Sequence, residues 1–428
     1  MHYYAEWSDL TGAGHAIMCM IKAENRYNLL GEEDVGLNRR TFVSLGGTAG
    51  ALAVGMPFIR PSYAQSGPLK LGVLLPYSGT YAPLGDAITR AMELYVKQQG
   101  GKLAGRDVTF VKLDDESAPP KATELTTKLV QGEKVDVLFG TVHSGVAMAM
   151  VKITKEDGVP TIIPNAGADQ ITRGMCAENV FRTSFSNGQA GFAVGPAVLK
   201  AGHKKVVTAT WKYAAGEESV AGFKRAFTKG GGEVIKDITI PFPDVEFQSV
   251  LAEISSLKPD AVYVFWAGGG ALKFIKDYAA ALNGKIPLWG PSFLTDGVEQ
   301  AVGAAGDGVK TVGHYVESLD NPENKAFVKL FQDAYKIPPD VYAVQGWDSM
   351  HLLDIGLKAV GGDISKRAQL NAAMAKASFA SPRGPLRFSS SHNPIQNFYL
   401  RELRGGVNNY LGIVEKELSD DTTGCKLA

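Results

Sequence analysis

From residue 69 onward the chain alternates short apolar runs with stretches whose apolar residues recur at helical spacing, and it does so twice over. LKLGVLL at 69–75 reads as a buried strand that ends in the turn Pro76-Tyr77-Ser78-Gly79-Thr80. Ile88, Met92, Leu94 and Tyr95 then give one apolar face to a helix over 87–99. Strands over 107–113, 135–140 and 161–163 alternate with helices over 121–131 and 145–157. Such a series makes successive strands parallel neighbours, so it predicts a doubly wound α/β sheet with helices on both faces. The pattern restarts near Ser186, with strands over 205–210, 233–240, 261–266, 286–290 and 311–315 and helices over 217–229 and 247–257. Two long helical patterns, 322–335 and 341–359, carry no strand of their own and are assigned back to the first half. The stretches 385–388, 396–402 and 410–414 read as antiparallel strands near the end. A chain of 428 residues also exceeds what one core sustains, about 250–300 residues, so two lobes plus an extra segment are expected.

That extra segment is residues 1–65. Asn38-Arg39-Arg40-Thr41-Phe42-Val43 precedes a Gly/Ala/Leu/Val-rich run over 44–59, and Ser62-Tyr63-Ala64 supplies a small-x-small cleavage site. Twin arginines, a moderately apolar core and a small-residue site together read as a bacterial twin-arginine export signal. A membrane anchor is the competing reading; Pro57, Pro61 and several glycines count against it. Residues 1–37 lack apolar periodicity and form a long leader ahead of the arginine pair, consistent with a true start further in. Export places the mature chain in the periplasm, an oxidising compartment. Of the 3 cysteines Cys19 is removed with the signal, so Cys176 and Cys425 are expected to pair, with two free thiols as the alternative.

Charge narrows the function classes. Lys+Arg and Asp+Glu both number 44, which gives no electrostatic footprint for nucleic acid. The cysteines and histidines form no zinc-ligand spacing, so no metal is expected. His143 and Ser144 are adjacent rather than arranged as nucleophile and base, and Gly140 to Ser144 lacks the spacing of a nucleophile elbow. The run Gly268–Gly270 has neither a phosphate-loop lysine nor a dinucleotide fingerprint. No enzyme and no cofactor are therefore expected.

In parallel sheets ligands bind beyond the carboxyl ends of the strands. The turns there hold Tyr77 and Ser78, then Ser144, then Asn165 and Gly167 in the first half. In the second half they hold Tyr213, then Trp266 and Ala267, then Ser292 and Phe293. A serine opening a helix offers its hydroxyl beside free N–H groups and suits a carboxylate; the plainer alternative is that Ser78 and Ser144 only cap their helices.

These turns carry a resemblance. LGVLLPYSGTYAPLGDAITRAMELYV at 71–96, VDVLFGTVHSGVAMAM at 135–150, PTIIPNAGADQIT at 160–172, WKYAAGEESVAGFK at 211–224 and DAVYVFWAGGGALKFIKDY at 260–278 resemble the branched-chain amino acid (Leu/Ile/Val) binding proteins of ABC transporters. The resemblance implies the type I periplasmic binding fold, two doubly wound parallel-sheet lobes joined by three crossovers near Ser184, Glu317 and Arg383. The first lobe is then 66–183 plus 317–383, and the second 186–315 plus 384–428. It implies a monomeric clamp that closes on a small carboxylate and presents it to an ABC transporter permease. Carried over position by position, carboxylate anchors fall on Ser144 and the Asn165–Gly167 turn, and second-lobe contacts near Tyr213, Ala267 and Ser292.

The sequence departs from the amino-acid pattern where it places Ser292 after Gly290-Pro291, the position of a glutamate that meets the ammonium. The family's threonine is Gly167 here, and an aromatic contact is replaced by Ala267. A buried ammonium without a carboxylate costs several kcal/mol, on the order given by ion desolvation. The expected ligand is accordingly an aromatic acid of benzoate or phenylpropanoid type. The alternative is an amino acid whose ammonium is met by Asp296 or Glu217; a sensor working through a partner is a further one.

Overall fold

The apolar run at 69–75 forms β1 (Leu69–Leu75), in which only Lys70 is not buried. The computed structural model describes residues 67–282 and 284–427, and the export signal expected over 1–65 lies outside them. β2 (Lys102–Leu103) and β3 (Arg106–Asp114) make an antiparallel edge hairpin, while β4 (Val137–Gly140), β5 (Thr161–Ile163) and β6 (Val180–Arg182) extend the sheet on the other side. The order is β2-β3-β1-β4-β5-β6, with every pairing but the edge hairpin parallel. A strand with parallel neighbours on both sides and helices on both faces has no wet face, which explains the unbroken apolar text of β1. α1 (Ala82–Gln98), α2 (Pro119–Thr127) and α3 (Ser144–Asp157) make the connections. α1 begins with Pro83 in its first turn and buries Leu84, Ile88, Met92 and Tyr95 along one face.

The second half opens with α4 (Asn187–Lys200), capped by Ser186 and Gln189 acting reciprocally. β7 (Lys205–Trp211), α5 (Ala214–Lys229), β8 (Glu233–Ile240), α6 (Gln248–Leu257), β9 (Ala261–Phe265), α7 (Gly268–Leu282), β10 (Leu288–Pro291), α8 (Glu299–Val302) and β11 (Lys310–Gly313) follow. α9 (Pro322–Tyr335), α10 (Val341–Ala359) and α11 (Arg367–Ala375) come next, and then β12 (Ser378–Ser381), β13 (Gly384–Phe388), β14 (Pro394–Arg404) and β15 (Val407–Leu418). The second sheet runs β12-β13-β14-β11-β10-β9-β7-β8, with β15 paired to β14. Its five strands β7 to β11 are parallel and the last four are antiparallel. β12 already pairs with β13, ahead of the crossover expected at Arg383.

α10 packs against α1 of the first sheet. Tyr95 of α1 donates its hydroxyl to Asp354 at 3.1 Å and packs edge-on against Trp347 at 4.9 Å. The crossing segments are locked to one another. Arg383, fully buried, pairs with Asp348 at 2.8 Å and donates to the carbonyls of Thr183 and Ser184, while Gln396 donates to the Ser184 carbonyl at 2.7 Å. Cys176 and Cys425 are joined by a disulfide, their Cα atoms 5.5 Å apart, which ties the tail to the loop after Ile171. Among the described residues no helix is long and apolar enough to cross a membrane.

Candidate ligand-binding cleft

The carboxyl ends of both sheets face each other, and the side chains that meet there enclose a small cavity of about 20 Å³. Besides the hydroxyls of its tyrosines, Ser144, Asn165 and Asn187 give it polar groups. Ser144 is the first residue of α3, where His143, not Ser144, does the capping: His143 Nδ1 accepts from the Gly145 N–H at 3.1 Å. Asn187 opens α4 and donates its amide to Ser144 Oγ at 3.2 Å and to Glu218 at 2.8 Å. Because Ser144 accepts from Asn187, its own hydroxyl proton is left to donate into the cavity. Asn165 is oriented from behind: it donates to Gln345 at 2.7 Å, and the Gln345 amide lies 3.0 Å from His314 Nε2. The walls are apolar and aromatic, with Phe185, Phe265, Phe293 and Tyr342 around the polar end.

The roof is made across the two lobes. Tyr81 and Tyr213 share a hydroxyl–hydroxyl bond of 2.7 Å, and His143 stacks on Tyr213 with ring centroids 4.7 Å apart. Burial pushes the His143 imidazole down to about 4, so it is neutral at physiological pH and carries its proton on Nε2. Outside the roof, Thr80 Oγ1 accepts from the Gly270 N–H of the second lobe at 3.1 Å.

Among the described residues no Asp, Glu, Lys or Arg side chain lines the cavity. Neutral donors at the N-termini of two 14-residue helices therefore meet the polar end of whatever binds. Such a site suits an anion with a flat apolar body and offers an ammonium no counter-ion. Asp296, one residue weighed for that role, is held by both Nη atoms of Arg401 at 2.8 and 3.0 Å. Glu217, the other, is exposed on α5 and does not line the cavity.

Of the residues expected to touch ligand, the fold brings six to the cavity: Ser144, Asn165, Gly167, Tyr213, Ala267 and Phe293. Four lie elsewhere. Tyr77 is half-buried and bonded to Thr89 of α1 at 2.8 Å, and Ser78 is exposed in the turn before that helix. Trp266 is fully buried against Trp211 and Phe247, because in an extended chain it faces opposite to Phe265, which takes the cavity side. Ser292 is likewise buried, its carbonyl accepting from Arg401 at 3.0 Å, and Phe293 takes the cavity side. No space opens where the family's threonine is Gly167: a Cβ there would strike Asn187 and the Phe185 ring, so the glycine lets the polar end and the wall come together. Tyr81, Phe185, Asn187, Phe265 and Tyr342 were not read from the sequence; Asn187 alone had a local signal, the capping pair Ser186 and Gln189 around it.

Two parallel-sheet lobes with a closed, aromatic, donor-tipped cavity between them define a solute-binding clamp. The chain belongs to the periplasmic binding protein family, whose model matches residues 68–407, and it has the type I periplasmic binding fold. This is a family of binding proteins, not of enzymes. A solute-binding protein of an ABC transporter from R. palustris, solved in complex with benzoate, is 73% identical; the match covers 84% of this chain and all of that one, with a TM-score of 0.83. A second, from Rhodopseudomonas palustris BisB5 in complex with 3,4-dihydroxybenzoic acid, is 31% identical over 82% of this chain and 98% of that one, with a TM-score of 0.78. A Leu/Ile/Val-binding protein homolog of Brucella melitensis is 32% identical over 80% of this chain and 89% of its own length.

Proposed function

We propose that this protein captures an aromatic monocarboxylate of the benzoate class in the periplasm and delivers it to an ABC importer. The observation that carries the reading is a cavity walled by Phe185, Phe265, Phe293 and Tyr342, tipped by the Ser144 hydroxyl and the Asn165 amide, with no acidic side chain among the described residues to receive an ammonium. The 73% identity to a protein solved with benzoate supports it. In this reading the carboxylate docks on the α3 N-terminus, the phenylalanines spread from the roughly 20 Å³ they now enclose to admit the ring, and the Tyr81–Tyr213 and His143–Tyr213 contacts form as the lobes shut. Contacts made only in the closed form are what a ligand uses to shift a hinge equilibrium. The reading further includes export through the twin-arginine signal of residues 1–65, action as a monomer, and release to a permease that recognises both lobe faces.

Thermal stability against aromatic carboxylates and L-amino acids tests it. A ligand at about 100 times its dissociation constant adds roughly 2.7 kcal/mol, worth several degrees in Tm. Benzoate and hydroxybenzoates are expected to raise Tm while leucine and valine do not; a shift with leucine alone refutes the proposal. Ser144→Ala should weaken benzoate by about ten- to a hundredfold in titration calorimetry, the loss of about 1.5–3 kcal/mol for a hydrogen bond to a charged group.

A further inference from the structure

Beside the cleft lies a second chamber of about 410 Å³, far larger than the cavity of about 20 Å³. Among the described residues, Leu84 and Tyr342 alone line both spaces, so these two form the partition between them. Each stands in the first turn of a helix, Leu84 in α1 and Tyr342 in α10, and they are only 2% and 1% exposed. One turn further on the two helices meet backbone to backbone: a Cβ at Gly346 would strike the Ile88 carbonyl. A contact that close leaves neither helix room to shift, which holds the partition at its base.

Elsewhere the cavity wall is backed by rings. Phe185 packs on Phe293 at 4.4 Å, Tyr213 on His143 at 4.7 Å and Tyr81 on Phe242 at 5.4 Å. Behind Tyr342 stands Gly297 instead, where even an added Cβ would lie 3.7 Å from the ring. The large space beside the cavity is thus reached only by displacing Leu84 or Tyr342.

Charge decides which end of a ligand points that way. Asp86, Asp296, Glu299, Glu317 and Asp340 line the chamber against Arg90 and Arg401, and Arg401 is already held by Asp296. An anion brought toward them meets like charge, while the Ser144 hydroxyl and the α3 N-terminus offer it donors. The carboxylate therefore takes the Ser144 end, and the uncharged end of the ligand faces the partition.

On the benzoate-class reading of the cleft, we propose that Leu84 and Tyr342 set the length of the ligand. They admit a carboxylate borne directly on the ring and reject one set two carbons away from it, as in 3-phenylpropanoate. Extra methylenes pressed against a packed wall force side chains off their rotamers or shift the backbone, and the α1–α10 contact closes the second outlet. The wall, not a shortage of room behind it, is what refuses the longer acid.

Calorimetric titration with benzoate and with 3-phenylpropanoate tests this. The wild type should bind benzoate tighter by about tenfold or more. Tyr342→Ala and Leu84→Ala, made separately, should each narrow that ratio by about tenfold, since either opens the cavity into the chamber. Leu84→Val, a milder cut in the same wall, should narrow it by less and serves where an alanine variant does not fold. Tyr342→Phe keeps the ring and should keep the ratio. A wild type that binds both acids alike, wall variants that leave the ratio where it was, or a Tyr342→Phe that shifts it as far as alanine does overturns the assignment. Benzoate bound by the wild type with an unmoved ratio fails the length filter alone. A wild type that binds neither acid fails the cleft reading, and the filter with it.

Discussion

Glu218 on α5 accepts hydrogen bonds from the Asn187 amide at 2.8 Å and from the backbone N–H of Asp169, in the first lobe, at 3.0 Å. It thus joins the two lobes at the residue that also positions Ser144. Burial, and then the neighbouring Asp169 charge, push its carboxyl from 4.5 up to about 7, against the partial relief of Asn187 and Arg182. When the lobes part, the group returns to water and toward its ordinary value. A pKa raised in the closed form means that closure is fully supported below about 4.5 and is progressively disfavoured as pH rises toward 7. Benzoate affinity should therefore fall on the order of tenfold between pH 5.5 and 7.5, then level off. Glu218→Gln keeps an acceptor without the charge and should flatten the profile; calorimetric titration across that range reads both outcomes. A profile equally steep in the variant would move the titration to another group.

At the scale of elements, the least legible part of the sequence proves to be among the most tightly packed. α4 contains Gly188, Gly191, Gly195 and Pro196, a text that local propensity reads as anything but helix. The glycines are there because α4 and α5 meet backbone to backbone: a Cβ at Gly191 would strike the Ser219 carbonyl, and one at Gly222 would strike that of Gly188. Gly→Ala inside an exposed helix usually stabilises by up to about 1 kcal/mol. Gly191→Ala should reverse that sign and destabilise by about 1–3 kcal/mol, measured by urea unfolding, because the overlap is with backbone that cannot turn aside. Most strands of both sheets were legible from their apolar runs, and with them the turns that carry Ser144, Asn165 and Tyr213; the short β2, β6 and β12, of two to four residues, were not. What the sequence did not disclose was which of two adjacent residues faces the cleft, as with Phe265 and Trp266, since a fully buried strand has no polar alternation to fix its phase. Tyr342 was invisible for a different reason: it enters the site from a long helix some 200 residues away from Ser144, with no turn to mark it.

Across the whole molecule, the disulfide and the crossovers lie together. Cys176 belongs to the loop between Ile171 and β6, and Cys425 to the tail that follows β15 of the other sheet. The bond is flanked by Arg173, which reaches Asp420 at 3.4 Å, and by Gln189, which donates to the Leu418 carbonyl at 2.8 Å. It therefore anchors the end of the second lobe to the first beside β6, whose last residue, Arg182, leads into the crossover and holds Asn393 at 2.7 Å. A tether placed near an axis of rotation barely changes length as the lobes open, so it restrains unfolding far more than it restrains the hinge. With the cysteines at a sequence separation of 249, the chain-entropy model gives about 5 kcal/mol, and native bonds of this kind are worth about 2–5 kcal/mol when removed. Cys425→Ser should lower the unfolding free energy by that amount in urea while leaving benzoate affinity within about twofold. Reductant should reproduce the loss in the wild type and do nothing further to the variant. If affinity instead fell tenfold or more with the bond gone, the tether would be setting the angle at which the lobes close, and the axis would lie farther from Cys176 than the crossing segments at Ser184 and Arg383 place it.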